Sequence, residues 1–159
     1  MEQRTLVKWL KGLVLFAAFC GVALDGGALP LAGQWMVERY PEFGYCFWPW
    51  LIFLWVLSIP CFLVLGLAWR IFRNIEQDHA FSTENAEYMG WISFLAAADA
   101  VVLLAGNILF LVIGMNHPGI LLLSFVVILA GIGFSVAAAA LSHLIRKAAD
   151  LQDQSDWTV

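Results

Sequence analysis

The chain has 159 residues, of which 62% are hydrophobic and 13% charged. Soluble domains carry about 45–50% apolar and about 25% charged residues. This composition, with a mean hydropathy of +0.85, therefore excludes an ordinary soluble domain and points to one membrane-embedded domain.

The net charge of −4 arises from acids placed mostly in connections and the tail. No basic stripe of the kind that grips nucleic acid is present, so no direct nucleic-acid contact is expected. The three cysteines, Cys20, Cys46 and Cys61, stand at unrelated spacings. Without a CxxC or a Cys/His cluster, neither a metal nor a disulfide framework nor any cofactor is expected. Isolated cysteines pack as small hydrophobes.

A spanning helix needs roughly 20 apolar residues. The first candidate runs from about Leu6 to Leu29, with Lys8 and Lys11 snorkelling to one headgroup layer and Asp25 near the other end. A cleaved signal peptide is the rival reading, since a short basic stretch precedes the apolar core. The intact span is favoured because no clean small-x-small cleavage site follows the apolar core.

The second span occupies about Trp48 to Trp69. Its Pro60 removes one helical hydrogen bond and predicts a kink. Between these spans, Trp35, Tyr40, Phe43, Tyr45, Phe47, Trp48 and Trp50 crowd one level. An interfacial aromatic belt is the plainer reading and a ligand site the sharper one.

The charge-free run Ala100–Ile145 would be about 69 Å long as one helix, about twice the hydrocarbon thickness. It must fold back, and Asn116-His117-Pro118-Gly119 is the turn it offers. That predicts a third span over about Met89–Met115 and a fourth over about Gly119–Leu144. Ser82 suits the N-cap of the third helix, and Glu84 suits its positive start. In the fourth, Gly131, Ser135 and Ala139 are small residues at four-residue spacing, a pattern that lets helices approach closely within the bundle or between copies.

Seven of the eight Lys and Arg residues (Arg4, Lys8, Lys11, Arg70, Arg73, Arg146 and Lys147) share one side, and Arg39 alone lies on the other. The positive-inside rule assigns that side, and with it both termini, to the cytoplasm. The expected architecture is all-α, four transmembrane helices in an antiparallel up-down bundle forming one domain over residues 1–159. His79, in the cytoplasmic connection, reads as an ordinary surface residue.

Asp99 is the sharpest functional candidate. It stands ten residues past Met89, about 15 Å into the membrane, where a charge costs about 2.5–3.5 kcal/mol on insertion scales. Its helical face carries Ala96, Leu103, Gly106 and Phe110, which directs it into the bundle, and Asn107 adds polarity nearby. Asp25 lies nearer the outer surface. A buried acid of this kind binds protons, ions or a ligand, or hydrogen-bonds a neighbouring helix. A transporter or ion-conducting homo-oligomer is the reading Asp99 supports. No phosphate loop, nucleophile elbow or His–carboxylate pair supports an enzyme.

The sequence also resembles a family. Tyr40-Pro41-Glu42-Phe43, Pro60, Ala80-Phe81-Ser82 with Glu84-Asn85, Pro118-Gly119-Ile120, Lys147-Ala148, Leu151-Gln152 and Asp156-Trp157-Thr158-Val159 fall in the order and spacing of small bacterial membrane proteins. These are the four-helix, YoaS-like proteins of domain of unknown function 2975. The tail departs from the family's usual ending by replacing Glu, Asn and Leu in Gln154–Val159. The resemblance implies a bacterial inner-membrane protein with no assigned chemistry, working with a small helix-turn-helix regulator. The residues that would meet such a partner are Phe81, Ser82, Glu84, Asn85, Asp156, Trp157, Thr158 and Val159.

Overall fold

The computed structural model describes residues 3–156, which contain helices, turns and no strand. Helix α1 (Gln3–Ala23) passes through a π-helical turn (Leu24–Ala28) into α2 (Leu29–Arg39). The chain reverses at Tyr40 and crosses a 3₁₀ turn (Pro41–Cys46) into α3 (Phe47–Glu76), which is followed by α4 (Thr83–Val112) and α5 (Pro118–Asp156). Four stretches are long and apolar enough to cross a bilayer: Thr5–Arg39, Pro41–Glu76, Thr83–Val112 and Pro118–Gln152. The first rod thus stays helical to Arg39, well past Leu29.

Both turns joining α3, α4 and α5 close in the same way. At the end of α4, Met115 N–H donates to Phe110 O at 2.8 Å and Gly114 N–H to Leu111 O at 3.2 Å. Gly114 adopts φ +73°. This is the Schellman closure, which satisfies the last carbonyls of a helix and needs a left-handed residue. At the end of α3, His79 N–H donates to Asn74 O at 3.0 Å and Asp78 N–H to Ile75 O at 3.2 Å. Asp78 supplies the left-handed residue there, with φ +62°, a conformation Asp tolerates better than most. Ser82 then caps α4 by accepting from Asn85 N–H at 3.2 Å, and Pro118 opens α5.

The helices pack as an open row in chain order. The α1–α2 rod touches α3, α3 touches α4, and α4 touches α5. Among the described residues no Cα of α5 comes within 8 Å of α3 or α1. Contact order runs oppositely along each pair: Gly21 meets Phe62 and Gly33 meets Phe47, while Asn74 meets Asn85 and Trp50 meets Met115. One end of the row therefore carries Lys8, Arg70, Arg73 and Arg146 and is called the basic end. The other, with the α4–α5 turn, is the far end.

The α4–α5 seam is the tightest. Ser93 and Ser135 exchange hydrogen bonds, each hydroxyl donating to the other's carbonyl at 2.8 Å. Ser142 Oγ donates to Ala86 O at 2.6 Å, and Gly131 faces Ala100. Ala138 is buried here, whereas Ala139 is exposed. The seam thus follows Gly131, Ser135, Ala138 and Ser142, a 3.5-residue repeat that keeps facing a partner helix, and not the four-residue series through Ala139. Ile71, Ile92 and Ala138 form the apolar centre, with Val64, Leu67 and Met89 against it. Most other large apolar side chains, Phe16, Phe94, Leu122 and Val136 among them, stand exposed, as lipid-facing residues do.

Gly106 is required by packing. A Cβ at this position would overlap the Phe53 ring, whereas one at Gly66 would meet nothing within 4 Å. Gly106→Ala should cost about 1–3 kcal/mol through overpacking. Gly66→Ala should be neutral or slightly stabilising through helix propensity. Unfolding in detergent micelles compares the two.

Candidate functional site

Two groups of polar residues interrupt the apolar row. The first surrounds Asp99. Seven residues from the Phe53–Gly106 contact toward the basic end, the α3–α4 register sets Asp99 opposite Pro60 and beside Cys61. One oxygen of the Asp99 carboxyl is buried without any hydrogen-bond partner among the described residues. The Cys61 thiol lies within electrostatic reach of both the Asp99 and Asp25 carboxyls and donates to Leu57 O at 3.7 Å. Asp25 sits in the π-helical turn of the first rod, and its carbonyl accepts from Trp55 Nε1 at 2.9 Å.

Three adjacent helices thus bring a carboxyl, a thiol and a second carboxyl to neighbouring heights. Both flanking helices are irregular there, α3 through Pro60 and the first rod through its π turn. Sequence reading identified Asp99, Asp25 and Pro60 but not Cys61, because the closeness of three helices is a tertiary fact. No group of three or more metal-ligating side chains exists among the described residues.

Asn107 does not join this group. It is fully buried, and its Nδ2 donates to Leu103 O at 2.9 Å. Asn116 Nδ2 donates to both its carbonyl and its Oδ1, at 3.1 and 3.0 Å. These bonds anchor the α4–α5 turn, nearer the far end than Asp99. Asn116 in the turn was the available signal, as a second amide able to reach back.

Above Asp99, toward the far end, three rings close the α3–α4 seam. Trp50 lies 4.6 Å from Phe110 and 6.0 Å from Phe53, and Phe53 lies 5.3 Å from Phe110, centroid to centroid. Trp50 Nε1 donates to Met115 O at 2.7 Å, and Tyr45 OH to Gly114 O at 3.4 Å. Trp48, Tyr40 and Phe43 remain exposed at this end. A shallow open hollow there is lined by Gln34, Val37, Glu38, Gly44, Phe47 and Trp48.

The second polar group closes the basic end. Asn85 is fully buried and uses its whole amide. Its Nδ2 donates to His79 O and Ala80 O at 3.0 and 3.1 Å, and its Oδ1 accepts from Asn74 Nδ2 at 2.9 Å. Asn74 Nδ2 also reaches Glu84 Oε2 at 3.1 Å. The other Glu84 oxygen accepts from Tyr88 OH, and Arg70 stacks over the Tyr88 ring. Lys11 pairs with Glu76 beside it.

Of the residues picked for partner contact, Ser82, Glu84 and Asn85 therefore build the loop. Asn85 in particular has no surface to offer. Phe81 stands 60% exposed. Asp156 ends α5, while Trp157, Thr158 and Val159 lie outside the described residues.

The family described as "Protein of unknown function (DUF2975)" matches residues 31–159. The chain is 27% identical over 133 residues to "Uncharacterized membrane protein YoaS" of Bacillus subtilis strain 168, covering 82% of this chain and 83% of that protein. No solved structure matches. The chain belongs to the DUF2975 family and is a membrane protein with four long apolar helices.

The matched region includes the Asn74–Asn85 knot. Removing the Asn85 amide strands one buried donor hydrogen of Asn74, which costs about 1–3 kcal/mol, and frees the part-buried carbonyls of His79 and Ala80, which water can partly satisfy. Asn85→Ala should therefore lower stability by about 2–3 kcal/mol, and Phe81→Ala by less than about 0.5 kcal/mol, as exposed positions do. Thermal unfolding of the purified protein in detergent reads both.

Proposed function

We propose that this protein is a non-enzymatic, inner-membrane interaction protein of bacteria that presents its basic end to a soluble cytoplasmic partner. The observation that carries the reading is the rigid loop between α3 and α4. Its backbone carbonyls are held by a buried asparagine, its turn is closed at both sides, and a large aromatic, Phe81, is left standing out of it. An exposed ring on a pre-ordered backbone loses little entropy on docking, and aromatic residues dominate interface energetics. The positive-inside bias supports a cytoplasmic position for this loop and for both termini.

Helix α5 adds a second element. Its 39 residues span about 58 Å, about twice the hydrocarbon thickness. Its last turns therefore extend past the headgroups, with Leu151 exposed. The family resemblance supports a small helix-turn-helix regulator as the partner, which would read DNA itself while this chain holds it at the membrane.

Crosslinking in native membranes, followed by mass spectrometry of co-purified proteins, tests the reading. A small DNA-binding protein should be recovered with the native chain. It should be lost with Phe81→Ala or on deletion of residues 150–159, and retained with Leu122→Ala at the far end. Recovery of the chain alone would overturn the reading.

The unpartnered Asp99 oxygen favours a second reading, a small transporter or ion-conducting oligomer with Asp99 as the carrier group. Lipid satisfies no carboxyl, so an orphaned one inside a membrane is a place for a proton or cation. In proteoliposomes Asp99→Asn should then abolish flux, and unchanged flux would remove Asp99 from that role.

A further inference from the structure

The two halves of the α3–α4 seam are held in different ways. Toward the basic end the seam is locked by the buried Asn74–Asn85 bond and the Ile71–Ile92–Ala138 centre. Toward the far end two side chains bond to backbone carbonyls of the α4–α5 turn, Trp50 to Met115 O and Tyr45 to Gly114 O. Beneath them lies the stack of Trp50, Phe53 and Phe110. Asp99 is seven residues below Gly106, about 10 Å along α4, so this stack lies between the far surface and the Asp99 oxygen that lacks a partner.

The far half of α3 also has a place to bend. Phe62 rests on Gly21 and Trp55 holds Asp25 O. Pro60 lies between these two contacts on α3, and the π turn begins between their partners on the first rod. Both neighbouring helices therefore lack regular ladder bonds at the same height. π segments and prolines are where helices bend at least cost. Cβ atoms at Gly26 and Gly27 in the turn would meet nothing within 4 Å, so these two positions add no contact that a bend would break. The first rod touches α3 and not α4, so it can travel with α3. The α4–α5 pair, tied by the Ser93–Ser135 exchange, stays fixed.

We infer that the far half of α3, moving with α2 and the π turn about Pro60, is a gate that opens Asp99 to water from the far end of the molecule. The Trp50–Met115 bond is its bolt and the Trp50–Phe53–Phe110 stack its seal. The gate concerns access alone and rests on neither functional reading above, because a carboxyl can be exposed and covered whatever it binds.

The test uses the full chain with Cys20, Cys46 and Cys61 replaced by alanine, carrying Asp99→Cys, in vesicles of either orientation. A membrane-impermeant thiol reagent is applied to one side at a time. Reaction is expected from the far side only. Trp50→Phe keeps a ring but loses the bolt and should raise the rate about fivefold, the effect of one net hydrogen bond. Pro60→Ala should lower it. Reaction from the basic side, no reaction from either, or one rate in all three backgrounds would overturn the gate.

Spin labels at Trp35 and Leu122, both exposed, give a second reading that leaves Asp99 intact. Their distance distribution should broaden with Trp50→Phe and narrow with Pro60→Ala. An unchanged distribution would overturn the gate independently of whether Asp99→Cys folds.

Discussion

Lipid offers no hydrogen bond, so each polar group carried into the membrane must find its partner within the protein. The architecture follows from where those partners lie. Ser93 and Ser135 satisfy each other and bring α4 and α5 to close range. Ser142 finds a carbonyl on α4, Asn107 finds Asn116 and so fixes the far turn, and Asn85 finds Asn74 and two loop carbonyls and so fixes the near one. Trp55 takes up a carbonyl of the π turn. Against this background the lone oxygen of Asp99 is the exception.

The same constraint explains why so small a protein keeps an open row of helices. A soluble bundle must close around a core to hide apolar surface from water. Here lipid covers that surface, and α1 and α5 need no contact with each other. Close approach occurs where small residues and hydroxyls permit it, along α4 and α5, while α3 meets its neighbours through aromatic rings laid on glycines at Gly21 and Gly106. The row therefore has one firm pair and one side joined by fewer, larger contacts, and the irregular segments, Pro60 and the π turn, both fall on the looser side.

Much of this was legible beforehand. Composition and uninterrupted apolar runs gave the four spans, since a bilayer imposes length directly. Ser82 as a cap and Pro118 as a helix start were readable because capping is local chemistry. Asp99 stood out because a single charge in an apolar run needs no structure to be noticed. Less was legible in the choice of partners. Phe81 to Asn85 read as one surface motif, yet Asn85 is buried and Ser82 and Glu84 are engaged in bonds within the loop, while Phe81 stands exposed. Ala139 fitted a four-residue repeat, while the seam follows Ala138 because two long helices stay in contact along a 3.5-residue repeat. Gly114, the left-handed residue that ends α4, was less legible than the prolyl turn at Asn116–Gly119, which is the stronger local signal, and Asp78, which ends α3, carries no local signal of its own.

The sequence by itself determined the membrane class, the four apolar spans and the presence of one acid within the third, because hydrophobic length and charge placement act residue by residue against a fixed slab of lipid. Tertiary structure alone decided that Asn107 anchors a turn while one Asp99 oxygen goes unpartnered, that the Cys61 thiol comes within electrostatic reach of both Asp99 and Asp25, and that three rings lie between Asp99 and the far end. Those outcomes depend on the rotation and register of one helix against the next. Register is set by packing summed over many side chains, and no single stretch of sequence carries it.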